Sequence, residues 1–271
     1  MTTVAELLVD LDDEYGDLHS LVSTLGPDDP AWEAPTPAEG WAVRDQISHL
    51  AFFDEAGRMA MVEPALFAET AEAMMAAEGD PMDVHLRRGR AMDGTELMAW
   101  WEESHQGMMN AFARADPSTR VPWFGPPMGV LSFISARLME TWAHGQDVAD
   151  ALGRERRPTD RLRHVAHLGV RARPFSYLVR DRTPPPGQIV VVLTAPTGDE
   201  WRWEVGAAVE PGATATVVGS ATDFCLVVTQ RRNLADTDLV IEGDIAIEWM
   251  SVAQAFAGAP GPGRPPRSRS S

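Results

Sequence analysis

The sequence has a single cysteine, Cys225, among 271 residues, so an internal disulfide is excluded. This cysteine lies in the apolar run FCLVV at 224–228. Thiols in such surroundings are usually buried and unreactive, because burial disfavours the thiolate. We therefore expect Cys225 to be a core residue, and we exclude a small scaffold held together by disulfides.

Long apolar runs are also missing. No stretch approaches the roughly 20 apolar residues that a membrane-spanning helix needs. The N-terminal segment, MTTVAELLVDLDDEYG, has acidic residues where a secretory signal has Lys or Arg. The sequence therefore predicts a cytoplasmic protein without a membrane partner.

Positive charge is scarce. The 23 Lys and Arg residues face 40 Asp and Glu, which gives a net charge of −17. Phosphate backbones repel so acidic a chain, so we expect no nucleic-acid partner. An anionic ligand would need a local cluster of arginines, such as Arg231 with Arg232 or the HLRRGR segment at 85–90. The alternative is that these arginines are simply solvated.

The composition, 44% hydrophobic and 23% charged, is typical of a folded protein, and the length suits two domains. Apolar residues recur at helical spacing in the first part of the chain. Helices are predicted from residue 4 to the stop at Gly26-Pro27, from 43 to a break at Pro64, and over 95–114, 130–152 and 160–178.

After the proline-rich segment TPPPG at 183–187, the pattern changes to that of strands. Strands are predicted over 189–194, 201–205, 213–218 and 238–242, and helices over 223–232 and 244–256. We therefore predict an α+β protein with a helical domain over 1–182, a small α+β domain over 183–258 and a disordered tail over 259–271.

Two side chains with metal-binding chemistry lie four residues apart on the predicted helix 130–152. Glu140 and His144 project from one face of that helix, about one turn apart. A carboxylate oxygen and an imidazole nitrogen suit zinc or another divalent ion. Asp147, on nearly the same face, would accept the second imidazole N–H of His144. His49 is the best candidate for a third ligand from another helix.

The spacing alone leaves a second interpretation open. A Glu and a His four residues apart are common on solvated helix faces, where they form a weak charge pair.

If the three residues do bind a metal, a two-histidine, one-glutamate set would leave one position of a zinc ion free, which is the arrangement of catalytic rather than structural sites.

The segments GWAVRDQISHL and METWAHGQDVADALG resemble the DinB/YfiT-like superfamily of metal-binding four-helix bundles. They are most similar to its actinobacterial branch, typified by mycothiol-dependent maleylpyruvate isomerase. The residues that carry the two family motifs are Trp41, Val43, Arg44, Asp45, His49 and Leu50, and then Arg137, Glu140, His144 and Asp147.

The resemblance implies an up-and-down four-helix bundle whose His49, Glu140 and His144 bind a divalent metal, usually zinc. More loosely, the segments VVGSATDFCLVVTQRRN and VIEGDIAIEWMSVAQAFAG resemble the small sterol-carrier-protein-like α/β domain that often follows this bundle. Arg137 and Arg232 are the candidate catalytic residues.

In the resembling family, the metal binds the sulfur of a small thiol, which is mycothiol in actinobacteria. The resemblance therefore implies an isomerase or S-transferase that adds a thiolate to an electrophilic small molecule. Alternatives are a thiol-independent metal-dependent hydrolase, lyase or cyclase, and a metal-binding protein without catalysis. A homodimer stays an open alternative to a monomer.

Overall fold

The computed structural model describes residues 2–76, 83–207, 215–261 and 263–267. The chain divides into two compact units, Met1–Arg156 and Arg157–Ser271. The first is helical apart from one short strand pair, and the second combines helices with a four-stranded sheet. The prediction of a mixed helical and sheet protein is thus confirmed.

The described residues of the first unit form the helices α1 (Val4–Val22), α2 (Val43–Val62), α3 (Pro64–Ala76), α4 (Asp83–Arg90), α5 (Gly94–Phe112) and α6 (Val130–Ala151). A 3-10 turn spans Pro30–Glu33, and the strands β1 (Arg120–Val121) and β2 (Met128–Gly129) pair antiparallel before α6. Capping boxes start two of the helices, at Thr3 and Glu6 for α1 and at Asp93 and Glu96 for α5.

The core of the first unit lies between the four long helices α1, α2, α5 and α6. Their apolar residues recur every three or four positions, so each helix buries one face against its neighbours. The cluster nearest the start of α2 is formed by Leu18, Leu21, Val22, Trp32, Val43, Ile47, Leu50, Ala51, Leu97, Trp100, Trp101, Val148 and Ala149.

The predicted break at Pro64 is confirmed, because α2 ends at Val62 and α3 begins at Pro64. The helices α3 and α4 themselves were not predicted. The α4 sequence DVHLRRGR is strongly charged, short and contains only two large apolar residues, Val84 and Leu86. Contacts with α2 hold it instead: Arg88 donates to Glu55 at 2.8 Å, and Arg90 donates to both carboxylate oxygens of Asp45 at 2.9 Å.

The second unit contains α7 (Leu162–Arg171), α8 (Arg173–Leu178), β3 (Ile189–Thr194), β4 (Glu200–Val205), β5 (Ala215–Ser220), α9 (Ala221–Val228), β6 (Val240–Glu242) and α10 (Asp244–Val252). The strand order is β4-β3-β5-β6, and β3 and β5 form the parallel pair. The predicted strand over 213–218 falls partly outside the described residues, which resume at 215. The predicted helix over 160–178 is two helices that adjoin at Ala172.

The first compact unit ends 26 residues before the predicted domain boundary at 182. Helices α7 and α8 belong to the second unit because they pack on its later elements. A Cβ placed on Gly169 in α7 would lie 2.7 Å from the side chain of Val228, and the Ser176 hydroxyl in α8 donates to the carbonyl of Gln254 at 3.2 Å. The predicted domain limits, as units that fold alone, stay a prediction.

The predicted tail lies partly outside the described residues, at 262 and from 268 onward. Its described residues contain no helix or strand. The backbone of Arg264 accepts a hydrogen bond from Asn233, and the Arg267 amide donates to Asp236. The disorder of the whole tail stays a prediction.

Within the described ranges, no helix is long and apolar enough to cross a membrane. Cys225 is fully buried in α9, and burial holds the pKa of its thiol well above the usual range. The expectation of a core cysteine is therefore confirmed, and its low reactivity stays a prediction.

The crossing of α4 over α2 depends on a glycine, and this gives a first prediction. A Cβ on Gly89 would lie 1.7 Å from the Ser48 hydroxyl oxygen. We expect Gly89→Ala to destabilise the protein by about 1–3 kcal/mol through overpacking, measured by denaturant unfolding. Gly16→Ala is the control, because Gly16 lies in α1 with nothing within 4 Å of its added Cβ. That variant should gain about 0.5–1 kcal/mol. Equal effects of the two variants would contradict the close helix crossing.

Candidate metal centre

The position of the site is set by a buried ion pair between α6 and α2. The Arg137 guanidinium donates to Asp54 at 3.0 Å and to the Leu50 carbonyl at 3.4 Å. Arg137 is 3% exposed and Asp54 is 2% exposed. A buried charge pair of this kind ties the two helices together, since separating the partners leaves an uncompensated charge.

The two candidate catalytic arginines have different surroundings. Arg137 contacts Asp54 as described, one turn before Glu140 on α6. Arg232 follows α9 in the second unit, where its guanidinium donates to the carbonyl of Arg231 at 2.7 Å. The ion pair gives Arg137 a positioning role, and a catalytic role for either arginine stays a prediction.

The structure brings the three predicted ligands together. His49 comes from α2, and Glu140 and His144 come from adjacent turns of α6. One ligand atom from each lies within 4.8 Å of the others. Glu140 Oε2 is 3.1 Å from His144 Nε2 and 3.9 Å from His49 Nε2, and the two imidazole ring centres are 4.4 Å apart.

A chain of hydrogen bonds ends at the Nδ1 atom of His144 and orients its ring. The Thr36 hydroxyl donates to the Trp41 carbonyl at 2.9 Å, and the Gln46 amide donates to the Thr36 oxygen at 2.8 Å. The Gln46 carbonyl oxygen contacts His144 Nδ1. Because the Gln46 amide already donates to Thr36, its oxygen must be the group that faces His144, and Nδ1 therefore carries the proton. Nε2, the atom that faces Glu140, is then the nitrogen of His144 that can bind a metal.

From the sequence, Asp147 was the residue expected to accept the second imidazole N–H of His144. Asp147 is buried on α6, one turn beyond His144. The structure places Gln46 at the His144 Nδ1 atom, and the spacing within α6 gave no signal for a residue on α2. The role of Asp147 stays a prediction.

The surroundings of His49 favour the neutral form of its imidazole. Burial, and then the neighbouring His144, hold the pKa of His49 well below its usual value of 6.5, although Glu140 opposes the shift. Its Nδ1 is buried without a hydrogen-bond partner, and its Nε2 is beyond hydrogen-bond distance from Glu140. A neutral imidazole with these surroundings fits a metal ligand better than it fits half of a charge pair.

Aromatic rings line the space beside these ligands. The ring of Trp41 lies 5.3 Å from that of His49 and 6.0 Å from that of His144, and Phe53 lies 4.6 Å from His49. The rings of Trp123 and Phe124 contact Phe53, with ring centres 6.0 Å and 5.7 Å from that of Phe53. Trp142, on α6, is also buried, and its carbonyl accepts a hydrogen bond from Arg156.

Comparison with known families shows which family the chain belongs to. The family model described as the mycothiol maleylpyruvate isomerase N-terminal domain matches residues 11–149, which is just over half of the chain and includes all three candidate ligands. The chain belongs to this family. The resemblance inferred from the two motifs is therefore confirmed.

Two similar proteins come from two strains of Mycobacterium tuberculosis, and both are described as uncharacterized. Each is 41% identical over 264 residues, covering 97% of this chain and all of the relative. A crystal structure of the mycothiol-dependent maleylpyruvate isomerase is 15% identical, with a TM-score of 0.58, covering 96% of this chain and 97% of that one.

A second crystal structure, of a histidine-to-alanine variant of that isomerase, is 17% identical with a TM-score of 0.54 and covers 85% of this chain and 90% of that one. At these identities the likeness extends to the fold alone. Because the matches span most of both chains, the fold similarity is not confined to the helices.

The contact of Gln46 with His144 gives a second prediction. We expect Gln46→Ala to weaken zinc binding by roughly 10–100-fold, since an outer partner fixes the tautomer and orientation of a ligating imidazole. Competition with a chelating dye measures this affinity. Asp147→Ala, made in parallel, tests the role assigned from the sequence. If Asp147→Ala weakens zinc and Gln46→Ala does not, the assignment of Gln46 is wrong.

The lowered pKa of His49 gives a third prediction, for the metal-free protein. Below its ordinary pKa of 6.5, His49 takes up a proton in the unfolded chain and stays neutral in the folded one. Its contribution to stability is therefore full above that pH and is lost progressively as the pH falls towards the folded pKa. Unfolding free energies measured by urea should fall between about pH 7.5 and about pH 5.5, and the fall should be smaller in His49→Gln. An equally steep fall in both proteins would contradict a neutral buried His49.

Proposed function

We propose that this protein is a metal-dependent enzyme of the mycothiol-dependent isomerase or S-transferase type. The observation that carries the proposal is the juxtaposition of His49, Glu140 and His144. The two motifs that supply them lie within the residues matched by the mycothiol maleylpyruvate isomerase family. The substrate would be a small electrophile, such as an alkene conjugated to a carbonyl group.

The residues present fit a zinc ion or a similar divalent metal. Two neutral imidazoles and one carboxylate form a donor set that is common in catalytic zinc sites. Two observations support this assignment. The buried Nδ1 of His49 has no hydrogen-bond partner, and Nε2 of His144 lies 3.1 Å from Glu140 Oε2. A bound divalent ion would lower the pKa of a coordinated thiol, so that the thiol is held as a nucleophilic thiolate at neutral pH.

The chain's own residues would orient the reactants and keep water away. Gln46 holds the His144 ring, and the buried Arg137–Asp54 pair holds α6 against α2. Trp41 and Phe53 form apolar walls that favour an unsaturated substrate over water. When the thiolate adds, a sulfur–carbon bond forms and the alkene electron pair moves onto the conjugated carbonyl oxygen. Rotation about the resulting single bond, followed by expulsion of the thiolate, gives the other geometric isomer.

We further propose that α1, α2, α5 and α6 form a DinB-like four-helix bundle and that the second unit is a sterol-carrier-like domain. Supporting the first, the candidate ligands project from two long helices that share one buried core. Supporting the second, the described strands have the order β4-β3-β5-β6, in which β3 and β5 are parallel. Along the chain, β5 is followed by α9, and β6 is followed by α10.

Metal content is the first test of this proposal. We expect about one zinc per chain by elemental analysis, and large losses in His49→Ala, Glu140→Ala and His144→Ala, because a three-ligand site binds weakly with two. His19→Ala is the matched control, since His19 lies far from the ligands in sequence and contacts Glu102 at 3.0 Å. A triple variant that retains zinc would refute the ligand assignment.

Thiol dependence is the second test. Zinc-loaded protein should convert maleylpyruvate or a related unsaturated acid only when mycothiol is added, and chelation should abolish the reaction. Product formation is followed by chromatography. Turnover that needs zinc but no thiol would favour the hydrolase, lyase or cyclase alternative instead.

A further inference from the structure

Helix α4 brings a third histidine to the candidate metal centre. The ring of His85 lies 5.2 Å from that of His49, 5.4 Å from Phe52 and 5.9 Å from Trp41. His85 is 1% exposed. His85 is therefore a buried imidazole beside the candidate ligand His49.

The position of His85 is fixed by tight contacts between α4 and α2. One turn after His85, Gly89 approaches Ser48 so closely that a Cβ there would lie 1.7 Å from the Ser48 oxygen. The ion pairs from Arg88 to Glu55 and from Arg90 to Asp45 hold the same helix. These contacts hold His85 in place next to His49, so its location does not depend on its own side-chain packing alone.

His85 lies outside the ligand set. Among the described residues, the cluster whose ligand atoms lie within 4.8 Å of one another consists of His49, Glu140 and His144. The ring of Trp41 nevertheless lies within 6.0 Å of all three imidazoles, so His49, His85 and His144 border one space. A zinc ion held by His49, Glu140 and His144 would keep one position for another group, and the space bordered by the three imidazoles lies beside these residues.

We propose that His85 donates a hydrogen bond to an oxygen of the ligand held at the open metal position. The ligand would carry a carbonyl or carboxylate group next to its reacting atoms. This inference rests on the metal site of the proposed function and adds a substrate-binding residue to it. When a thiolate adds to an alkene conjugated to a carbonyl, negative charge develops on the carbonyl oxygen, and a donor placed there in advance stabilises it.

The direct test uses cobalt(II)-loaded protein and two simple anions, without any turnover. Acetate binds a metal through one oxygen and leaves the second oxygen as an acceptor, whereas chloride has no second atom. Both are titrated by visible absorption. In His85→Phe, which keeps the ring volume and lacks the N–H, acetate binding should weaken by about ten- to hundredfold, the usual effect of losing a hydrogen bond to a charged group. Chloride binding should stay within about twofold, because it makes no such bond.

Two further variants serve as controls. His85→Gln keeps an N–H donor and should recover part of the acetate affinity. Val84→Ala changes the neighbouring, largely exposed residue of α4 and should behave as the parent protein. Cobalt affinity should be the same in all of these proteins, since His85 is not a ligand.

The outcomes separate this inference from the proposed function. Equal acetate affinity in the parent and in His85→Phe, or loss of cobalt from His85→Phe, overturns the assignment of His85. Selective loss of acetate binding in a protein that shows no thiol-dependent turnover supports His85 and refutes the thiol chemistry. Failure of the parent to bind cobalt refutes both.

Discussion

The ion pair between Arg137 and Asp54 is the contact on which the candidate centre depends. His49 lies on α2 and the other two candidate ligands lie on α6, so their separation is set by how these helices pack. The Arg137 guanidinium also reaches the Leu50 carbonyl, next to His49 in sequence. Removing one partner of such a buried pair costs about 3–5 kcal/mol, because the remaining charge has no partner. Arg137, a candidate catalytic residue from the sequence, thus forms in the structure an ion pair that fixes how the helices carrying the candidate ligands pack.

Local sequence patterns predicted much of the architecture. The apolar spacing of α1 and α6, the break at Pro64 and the β-branched run that forms β3 are all properties of neighbouring residues, and the helices and strand follow them closely. The Glu140–His144 spacing likewise places two side chains on one helix face, where the structure finds them 3.1 Å apart. Family membership, inferred from two short motifs, agrees with a match over residues 11–149.

Features that depend on distant contacts were missed. Gln46 faces His144 across 98 residues of sequence, and nothing around either residue in the chain indicates that pairing. Helix α4 is eight residues long, and ion pairs to α2 help to hold it, so hydrophobic periodicity gave little signal for it. His85 was therefore not singled out from the sequence, although the close approach at Gly89 buries it beside His49. The division after Arg156 has the same origin, since α7 and α8 pack on elements that follow them by many residues.

X-ray absorption spectroscopy of the zinc-loaded protein tests the central claim most directly, because it reports the atoms bound to the metal. The account predicts nitrogen and oxygen neighbours at about 2.0–2.1 Å, with the outer scattering of two imidazoles. Addition of mycothiol should then introduce one sulfur neighbour at about 2.3 Å while both imidazoles remain. A spectrum that shows the zinc still bound but unchanged by saturating mycothiol would contradict the account.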